Sequence, residues 1–355
     1  MKSRSCRQGI RMETEIIAEE DDRIDRTCIC PLARGHLDVT SIEFSVVSGS
    51  NEDLIIACIE SLYQSLRGTD YQWNVTATCN APGTGLDDRL ATRFPGIRIV
   101  RNATARGFAA NHNTVLRQSK ADYVWLLNDD LVFHTDTVSR VTEFMEEPAS
   151  ERVAVVSPRL LNTDGSLQPS TYSFPSMPQT LLAHSGVREH RLVDRMVRAA
   201  APILRPRAGS SRYWDHDRTI EVDTLRGACV AVRMKAVREV GPMAEVALVG
   251  AEEIEWHRRF RDAGWKVVFL ASASITHHGS QSVAYDTQHS PEYLKGALFY
   301  FRAGASRVRY WMFCTSLLSM FGTRLGVARI RRDPTDVAIA RRCIRITWDA
   351  LRGEP

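Results

Sequence analysis

The chain is poor in several features, and each absence excludes something. No run of about 18 apolar residues occurs, the length a membrane-spanning helix needs. The nearest stretch, WMFCTSLLSMFG at 311–322, falls short. No charged leader followed by an apolar segment opens the sequence, so a cytosolic protein is expected. The 8 cysteines are scattered. Only Cys28 and Cys30 stand close, and without a second pair they do not complete a zinc site. Free thiols in a reducing compartment are the expectation. The net charge of +4 is too small to imply a nucleic-acid partner. No internal repeat is visible. A glycine-rich loop with a lysine, which would cradle phosphate in a nucleotidyltransferase, is also missing: SGSNED (48–53) ends the first strand.

What is present is an ordinary globular composition, 44% hydrophobic and 25% charged. The length suits one large α/β domain with additions, or two domains, and a core of its own. Charge is uneven. Acids crowd the first 26 residues (Glu13, Glu15, Glu19, Glu20, Asp21, Asp22, Asp25), and arginines crowd the other end (Arg302, Arg307, Arg309, Arg324, Arg329, Arg331, Arg332, Arg341, Arg342, Arg345). A basic tail beside aromatics suits an anionic surface such as membrane lipid.

Residues 1–40 show no clear periodicity and are expected to be disordered or loosely attached. IEFSVVS (42–48) then reads as a strand. Leu54, Ile55, Cys58, Ile59, Leu62 and Leu66 fall at helical spacing after Asn51, a suitable cap. Strands at 73–78 and 97–100 flank a helix near 86–93. GFAANHNTVLRQS (107–119) reads as a loop opening a helix, and DYVWLL as another strand. Such alternation through the first 150 residues predicts an α/β domain, expected to span 41–285, its mostly parallel sheet covered by helices on both faces. Ligands of such sheets bind beyond the carboxyl ends of the strands. Later come a strand at 153–157, a Pro/Ser-rich loop at 168–178 and an arginine-rich stretch at 184–218. AEEIEWHRRFRDAG (251–264) follows as a short helix, with acids in its first turn and Gly264 past its end. WKVVFL is a strand, with ITHHGSQS following it. Residues 286–355 predict a helical region.

Four stretches could carry chemistry. YVWLLNDDLVFH (123–134) runs an apolar strand into Asn128, Asp129 and Asp130, whose oxygens suit Mg²⁺ or Mn²⁺; a turn cap would use the same residues. Glu252 and Glu253 could supply a general base, or simply favour a helix start. His277 and His278 could include a metal ligand or form a polar loop. In RGFAANHN (106–113), Gly107 permits close backbone approach to a ligand and Arg106 could meet a phosphate.

These pieces lie in a telling order. FSVVSGSNEDLIIACIESL, IRIVRNATARGFAANHN, ADYVWLLNDDLVF, VVSPRLLNTDGSLQPS, LRGACVAVRMKAVREVG, EEIEWHRRFRDAGWKVVFL and ASITHHGSQS follow one another from about 43 to 282. In that order they resemble the inverting family 2 glycosyltransferases, especially the bacterial rhamnosyltransferase-like branch. The resemblance implies a GT-A fold, a nucleotide-diphosphate sugar donor and Mn²⁺ or Mg²⁺. It puts NDD at the metal motif, with Asp130 as metal ligand beside Asn128 and Asp129, and His277 completing the metal and diphosphate site. It puts Glu253 at the catalytic base. It puts the donor against the first two strand ends (Ser48, Asn51, Cys79, Asn80) and the loop carrying Arg106, Gly107, Phe108 and Asn113. Glu252, Trp256 and Arg258 would fall on the acceptor side.

Some positions depart from the family pattern. Cys79 stands where an aspartate usually meets the nucleotide, Ala105 where an asparagine precedes Gly-Phe, and Glu253 where aspartate is usual. The resemblance also implies a glycan or lipid-linked acceptor, cell-wall polysaccharide biosynthesis, and a cytoplasmic enzyme at the inner face of the plasma membrane. Deoxythymidine-diphosphate rhamnose is the expected donor, with uridine- and guanosine-diphosphate sugars open. Two views of the C-terminal aromatics stand side by side: Tyr300, Phe301, Tyr310, Trp311 and Phe313 rest on membrane, or they close an ordinary helical pack. A sugar-nucleotide-binding protein that no longer transfers is the alternative function.

Overall fold

The computed structural model of the chain describes residues 16–18, 39–49, 52–80, 83–185, 216–245, 252–279 and 291–353. The remaining N-terminal residues, Cys28, Cys30, Asn51 and most of the arginine-rich stretch lie outside these. A ten-stranded sheet forms the centre, in the order β1-β4-β3-β2-β5-β11-β7-β12-β6 with β9 beside β12. Its strands are β1 (Ile16–Ala18), β2 (Ser41–Ser48), β3 (Gln72–Cys79), β4 (Arg98–Arg101), β5 (Tyr123–Asn128), β6 (Leu131–Phe133), β7 (Val153–Leu161), β9 (Ile220–Glu221), β11 (Cys229–Arg233) and β12 (Lys266–His277). The short strands β8 (Thr171–Tyr172) and β10 (Thr224–Leu225) pair separately, β8 inside the Pro/Ser-rich stretch expected to be a loop.

The half from β2 to β4 and β5 is parallel, as the alternation of elements predicts, and β1, inside the segment expected to be disordered, instead adds a parallel strand beside β4. The other half is mixed. β11 runs antiparallel between β5 and β7, and β12 runs parallel to β7 but antiparallel to β6. Nothing local in CVAVR marks its direction, because a strand buried on both faces reads the same either way.

Alternate residues of β5 point to opposite faces. Tyr123, Trp125 and Leu127 enter one core with α1 (Glu52–Ser65), α2 (Leu86–Arg93) and α4 (Thr137–Glu146). Val124 and Leu126 enter a second core with α3 (Phe108–Gln118), α6 (Met234–Val240) and α7 (Glu252–Asp262). Helix α1 shows why it forms: Ile55, Cys58, Ile59 and Leu62 recur on one buried stripe, and Glu52 and Asp53 in its first turn favour the helix dipole.

The C-terminal helices α8 (Pro291–Gly304), α9 (Arg307–Arg331) and α10 (Pro334–Arg352) enclose a third core around Leu294, Phe301, Phe313, Leu317 and Phe321. Asp333 caps α10 by accepting from the N–H groups of Thr335 and Asp336. Phe174, Ile254 and residues of α5 (Met177–His184) pack against this core and attach it to the sheet domain. Tyr300, Phe301, Tyr310 and Phe313 are interior. Of the five aromatics that could have met a membrane, only Trp311 is on the surface, 53% exposed. Among the described residues no helix is long and apolar enough to cross a membrane.

Candidate active site

Strand register assembles the site at one sheet edge. Ser48 pairs with Cys79, Cys79 with Arg101, and Val47 with Asn128, so the carboxyl ends of β2, β3, β4 and β5 lie side by side. β11 starts there, since Cys229 pairs with Leu127. β12 continues past its expected end at Leu270 as far as His277, which pairs with Leu131. That pairing, not a loop, brings His277 beside Asp130. A separate cavity of about 390 Å³ opens at the opposite edge, between Val39, Asp122, Arg233 and Lys235, away from all of these residues.

The two adjacent aspartates point different ways. Asp129 is buried, and its Oδ2 accepts the Gly49 N–H at 2.6 Å. Burial pushes its carboxyl up to about 6, against the pull of that hydrogen bond and with a further push from Asp130. Asp130 is also buried, at 3% exposure, but faces β12: its Oδ1 lies 3.1 Å from His277 Nε2 and receives no hydrogen bond. On its other side His277 Nδ1 is 2.6 Å from Gln168 Oε1. Asn128 Nδ2 is 3.4 Å from Nε2.

A buried carboxylate oxygen with no donor, facing an imidazole nitrogen, fits a hard or borderline divalent cation such as Mg²⁺ or Mn²⁺. Among the described residues no group of three or more His, Cys, Asp or Glu side chains surrounds one point. A cation held by Asp130 and His277 would therefore draw its remaining oxygens from a ligand or water.

The residues expected to meet the donor divide into two kinds. Asn80 accepts from the Arg106 N–H at 2.8 Å and donates to the Arg106 carbonyl at 3.1 Å. Asn102 donates to Asn80 at 2.8 Å and to Asn111 at 2.6 Å, and Asn111 donates back to the Arg106 carbonyl. Asn80 thus pins the 102–107 loop with its amide committed inside the protein. Asn113 is likewise committed. It is fully buried, donates to the Met243 carbonyl and Glu245, and accepts the Met243 N–H. Both were expected to meet the donor; their side-chain amides are bonded within the protein, Asn80 to the 102–107 loop and Asn113 to Met243 and Glu245. Asn102 and Asn111 were not anticipated, although an asparagine directly after a strand end is a turn signal. Cys79 is buried, and burial raises its thiol to about 11, with Asp87 adding to the shift.

Phe108 is differently placed. Its ring meets His112 edge-on at 4.5 Å. A Cβ added at Gly227 would stand 3.3 Å from the Phe108 ring and 3.9 Å from the Glu253 carboxyl carbon. Phe108, Gly227 and Glu253 therefore meet at one point, joining the start of α3 to the first turn of α7. Crowding by protein raises the Glu253 carboxyl above its ordinary range; a backbone hydrogen bond and Arg226 oppose this. Tyr293 of α8 borders the same point: burial raises its hydroxyl, and the charge of Glu253 raises it further.

The expected acceptor-side residues separate in the structure. Glu252 is buried, at 1% exposure. Trp256 is a core residue: 1% exposed, it packs on Phe260 and donates to the Gly241 carbonyl at 2.8 Å. A large apolar ring at helical spacing is buried by default, and here that default prevails. Arg258 reaches α8 instead, donating to the Tyr300 carbonyl at 3.0 Å with its guanidinium 4.5 Å over the Tyr300 ring. Gly304 leaves the space for it.

Residues 47–186 match Glycosyl transferase family 2. The N-acetylglucosaminyl-diphospho-decaprenol L-rhamnosyltransferase of Mycobacterium tuberculosis, strain H37Rv, is 22% identical over 233 residues, which span 61% of this chain and 70% of the relative. Among solved structures, GalNAc-T7 with UDP, GalNAc and Mn²⁺ superposes with a TM-score of 0.49 at 11% identity, covering 74% of this chain and 48% of that one. The mannosyltransferase PcManGT from Pyrobaculum calidifontis, in complex with GDP-Man and Mn²⁺, gives 0.48 at 14% identity over 91% and 92% of the two chains. Residues 47–186 thus match family 2 of the glycosyltransferases, and the protein is a glycosyltransferase that resembles the inverting, rhamnosyltransferase-like members.

Proposed function

We propose that the protein moves a sugar from a nucleotide-diphosphate donor to a hydroxyl of a glycan or lipid-linked acceptor, inverting the anomeric configuration, with Glu253 as base. One observation carries this: Glu253 stands with Phe108 and Gly227 at the junction of donor loop and α7, crowded enough to raise its proton affinity. The acceptor oxygen attacks the anomeric carbon from the face opposite the diphosphate. Its proton passes to Glu253, and the diphosphate leaves with the electrons of the broken bond. A base whose pKa lies nearer the working pH accepts that proton better.

Asp130 and His277 would hold Mn²⁺ or Mg²⁺, which when bound offsets charge on the departing diphosphate. Phe108 and the loop pinned by Asn80 hold the sugar in line, and orientation supplies part of the rate. The relative's name supports rhamnose as the sugar and a polyprenyl-diphosphate acceptor. A lipid-borne acceptor is also supported by Val308, Trp311 and Met312, exposed beside Arg307 and Arg309 on α9; vesicle flotation with anionic lipid tests that surface.

The deciding experiment supplies thymidine-, uridine- and guanosine-diphosphate sugars with glycan and polyprenol-linked acceptors, with and without Mn²⁺, and measures released nucleoside diphosphate. Metal-dependent release from one donor, lost in Asp130→Ala, is expected. Calorimetric donor binding without release from any pair would replace transfer by sugar-nucleotide binding.

A further inference from the structure

The proton on His277 has two places to go, and the two neighbours of the ring compete for it. Asp130 Oδ1, 3.1 Å from Nε2, would attract a proton carried there by charge, although the two are not aligned as a hydrogen bond. A cation can be held only if Nε2 keeps its lone pair, with the proton at Nδ1. Nδ1 contacts Gln168 Oε1 at 2.6 Å. That oxygen can only accept, provided the amide is held in this orientation and not flipped.

The orientation is fixed by a directional chain. Gln168 Nε2 donates to Asn162 Oδ1 at 3.0 Å, and Asn162 Nδ2 donates to Ser166 Oγ at 2.8 Å. The Ser166 hydroxyl donates to Asp164 Oδ1 at 2.6 Å, and the Ser166 N–H donates to the same oxygen at 2.9 Å. An ionised carboxylate only accepts, and these two bonds hold the Asp164 carboxyl below its ordinary range. The polarity of every link therefore follows from the last one. Flipping the Gln168 amide would set an N–H against His277 Nδ1 and an oxygen against Asn162 Oδ1.

The turn that carries the chain is itself well made. Gly165 takes a left-handed conformation, Gly165 N–H bonds the Asn162 carbonyl, and Gln168 N–H returns to the Leu160 carbonyl at 2.9 Å. Gln168 is buried, at 9% exposure. Asn128 agrees from the other side, with its amide nitrogen 3.4 Å from Nε2, the nitrogen left as acceptor.

We propose that Gln168 is a positioning residue: through the Asn162–Ser166–Asp164 chain it holds His277 as the Nδ1–H tautomer and so keeps Nε2 open to a cation beside Asp130. The cation half rests on the function proposed above; the tautomer half does not. In Gln168→Leu the proton moves to Nε2, where the Asp130 carboxylate 3.1 Å away favours it, and the nitrogen closes. Loss of such an outer partner commonly lowers metal affinity by about 10- to 100-fold. Gln168→Glu keeps an acceptor at Nδ1 and should preserve both tautomer and affinity.

The test uses the full chain at one fixed pH. Imidazole ¹⁵N NMR on metal-free protein reads the His277 tautomer, and electron paramagnetic resonance titration reads Mn²⁺ affinity, with Asp130→Ala as the metal control and circular dichroism confirming folding. Expected are Nδ1–H in the unsubstituted protein, a shift to Nε2–H with at least 10-fold weaker Mn²⁺ binding in Gln168→Leu, and rescue by Gln168→Glu. An Nε2–H ring in the unsubstituted protein, or an unchanged tautomer in Gln168→Leu, overturns the proposal. A tautomer that responds to Gln168 while Mn²⁺ fails to bind, or binds Asp130→Ala equally well, supports the role of Gln168 and overturns the cation function instead.

Discussion

Gly227 offers the most direct probe of the pocket. Its backbone does not occupy the left-handed region, so alanine or valine meets no conformational strain there, only its neighbours. An added Cβ would lie 3.3 Å from the Phe108 ring, inside the roughly 3.5–4.0 Å optimum for carbon contacts. Alanine therefore pushes the ring back by a few tenths of an ångström, at about 1 kcal/mol, the low end of overpacking costs. Valine adds two methyls to the same space, which is bounded on the far side by the Glu253 carboxyl at 3.9 Å; it should cost about 3 kcal/mol. At ~1.4 kcal/mol per tenfold, donor kcat/KM should fall roughly fivefold for Gly227→Ala and about 100-fold for Gly227→Val. The assay pairs donor kcat/KM with the melting temperature. Strain that the pocket resists should lower the melting temperature by up to the same cost, and strain relieved by displacing Phe108 and Glu253 should appear as lost turnover. If Gly227→Val transfers sugar at the unsubstituted rate, the junction of Phe108, Gly227 and Glu253 is not where the sugar sits.

Three further outcomes follow from the same geometry. Glu253→Gln should lower kcat by about 10² to 10⁴ with donor affinity kept. It should also melt at or above the parent temperature at neutral pH. A carboxyl raised in the folded state destabilises the fold above its folded pKa and not below its unfolded one, so the gap should close as pH falls toward the ordinary carboxylate range. A lower melting temperature at neutral pH would contradict the crowding argument. Arg258→Ala removes a bond to the Tyr300 carbonyl and a ring contact, together about 2 kcal/mol. Hydrogen exchange should quicken in α8 and not in the central strands, whereas lost transfer with α8 unchanged would return Arg258 to the acceptor side. Asn80→Ala frees the 102–107 loop and should raise donor KM several-fold with kcat little changed; a fall in kcat alone would place Asn80 at the chemistry.

Much of this was legible in the sequence, for identifiable reasons. Apolar spacing marks β2, α1, α3 and β5 because each buries a full face, and the pattern survives whatever lies across the sheet. The end of β12 was not legible. ASASIT alternates polar and apolar beyond Leu270, and a bulge between Leu270 and Ser274 breaks its register, so the strand looks finished before it reaches His277. Asparagines were the weakest point. Asn80 and Asn113 stand where donor contacts are expected, yet their partners are chain carbonyls and N–H groups, one of them 130 residues away. No spacing reveals such a partner. Gln168 was within reach: Asp164-Gly165 is a strong turn signal, and a tight turn after β7 returns the chain beside Leu160, at the strand end where ligands bind.

The paired carboxylates at the end of β5 now separate into two tasks. A strand that merely turned there would satisfy both side chains with backbone N–H groups, as turn aspartates ordinarily do. Only Asp129 does this. It bonds the Gly49 N–H and joins the edge of β2 to that of β5, and even so burial lifts its carboxyl to about 6. Asp130 is buried just as deeply but turns an oxygen with no donor toward a histidine nitrogen. Leaving a buried acceptor unmet costs about 1–3 kcal/mol, more when it is charged, and one donor from the neighbouring backbone would remove that cost. The fold alone gives no reason to keep the deficit. Under the function proposed above a cation brought in with a diphosphate would, because a charge the resting protein leaves unmet makes its binding favourable.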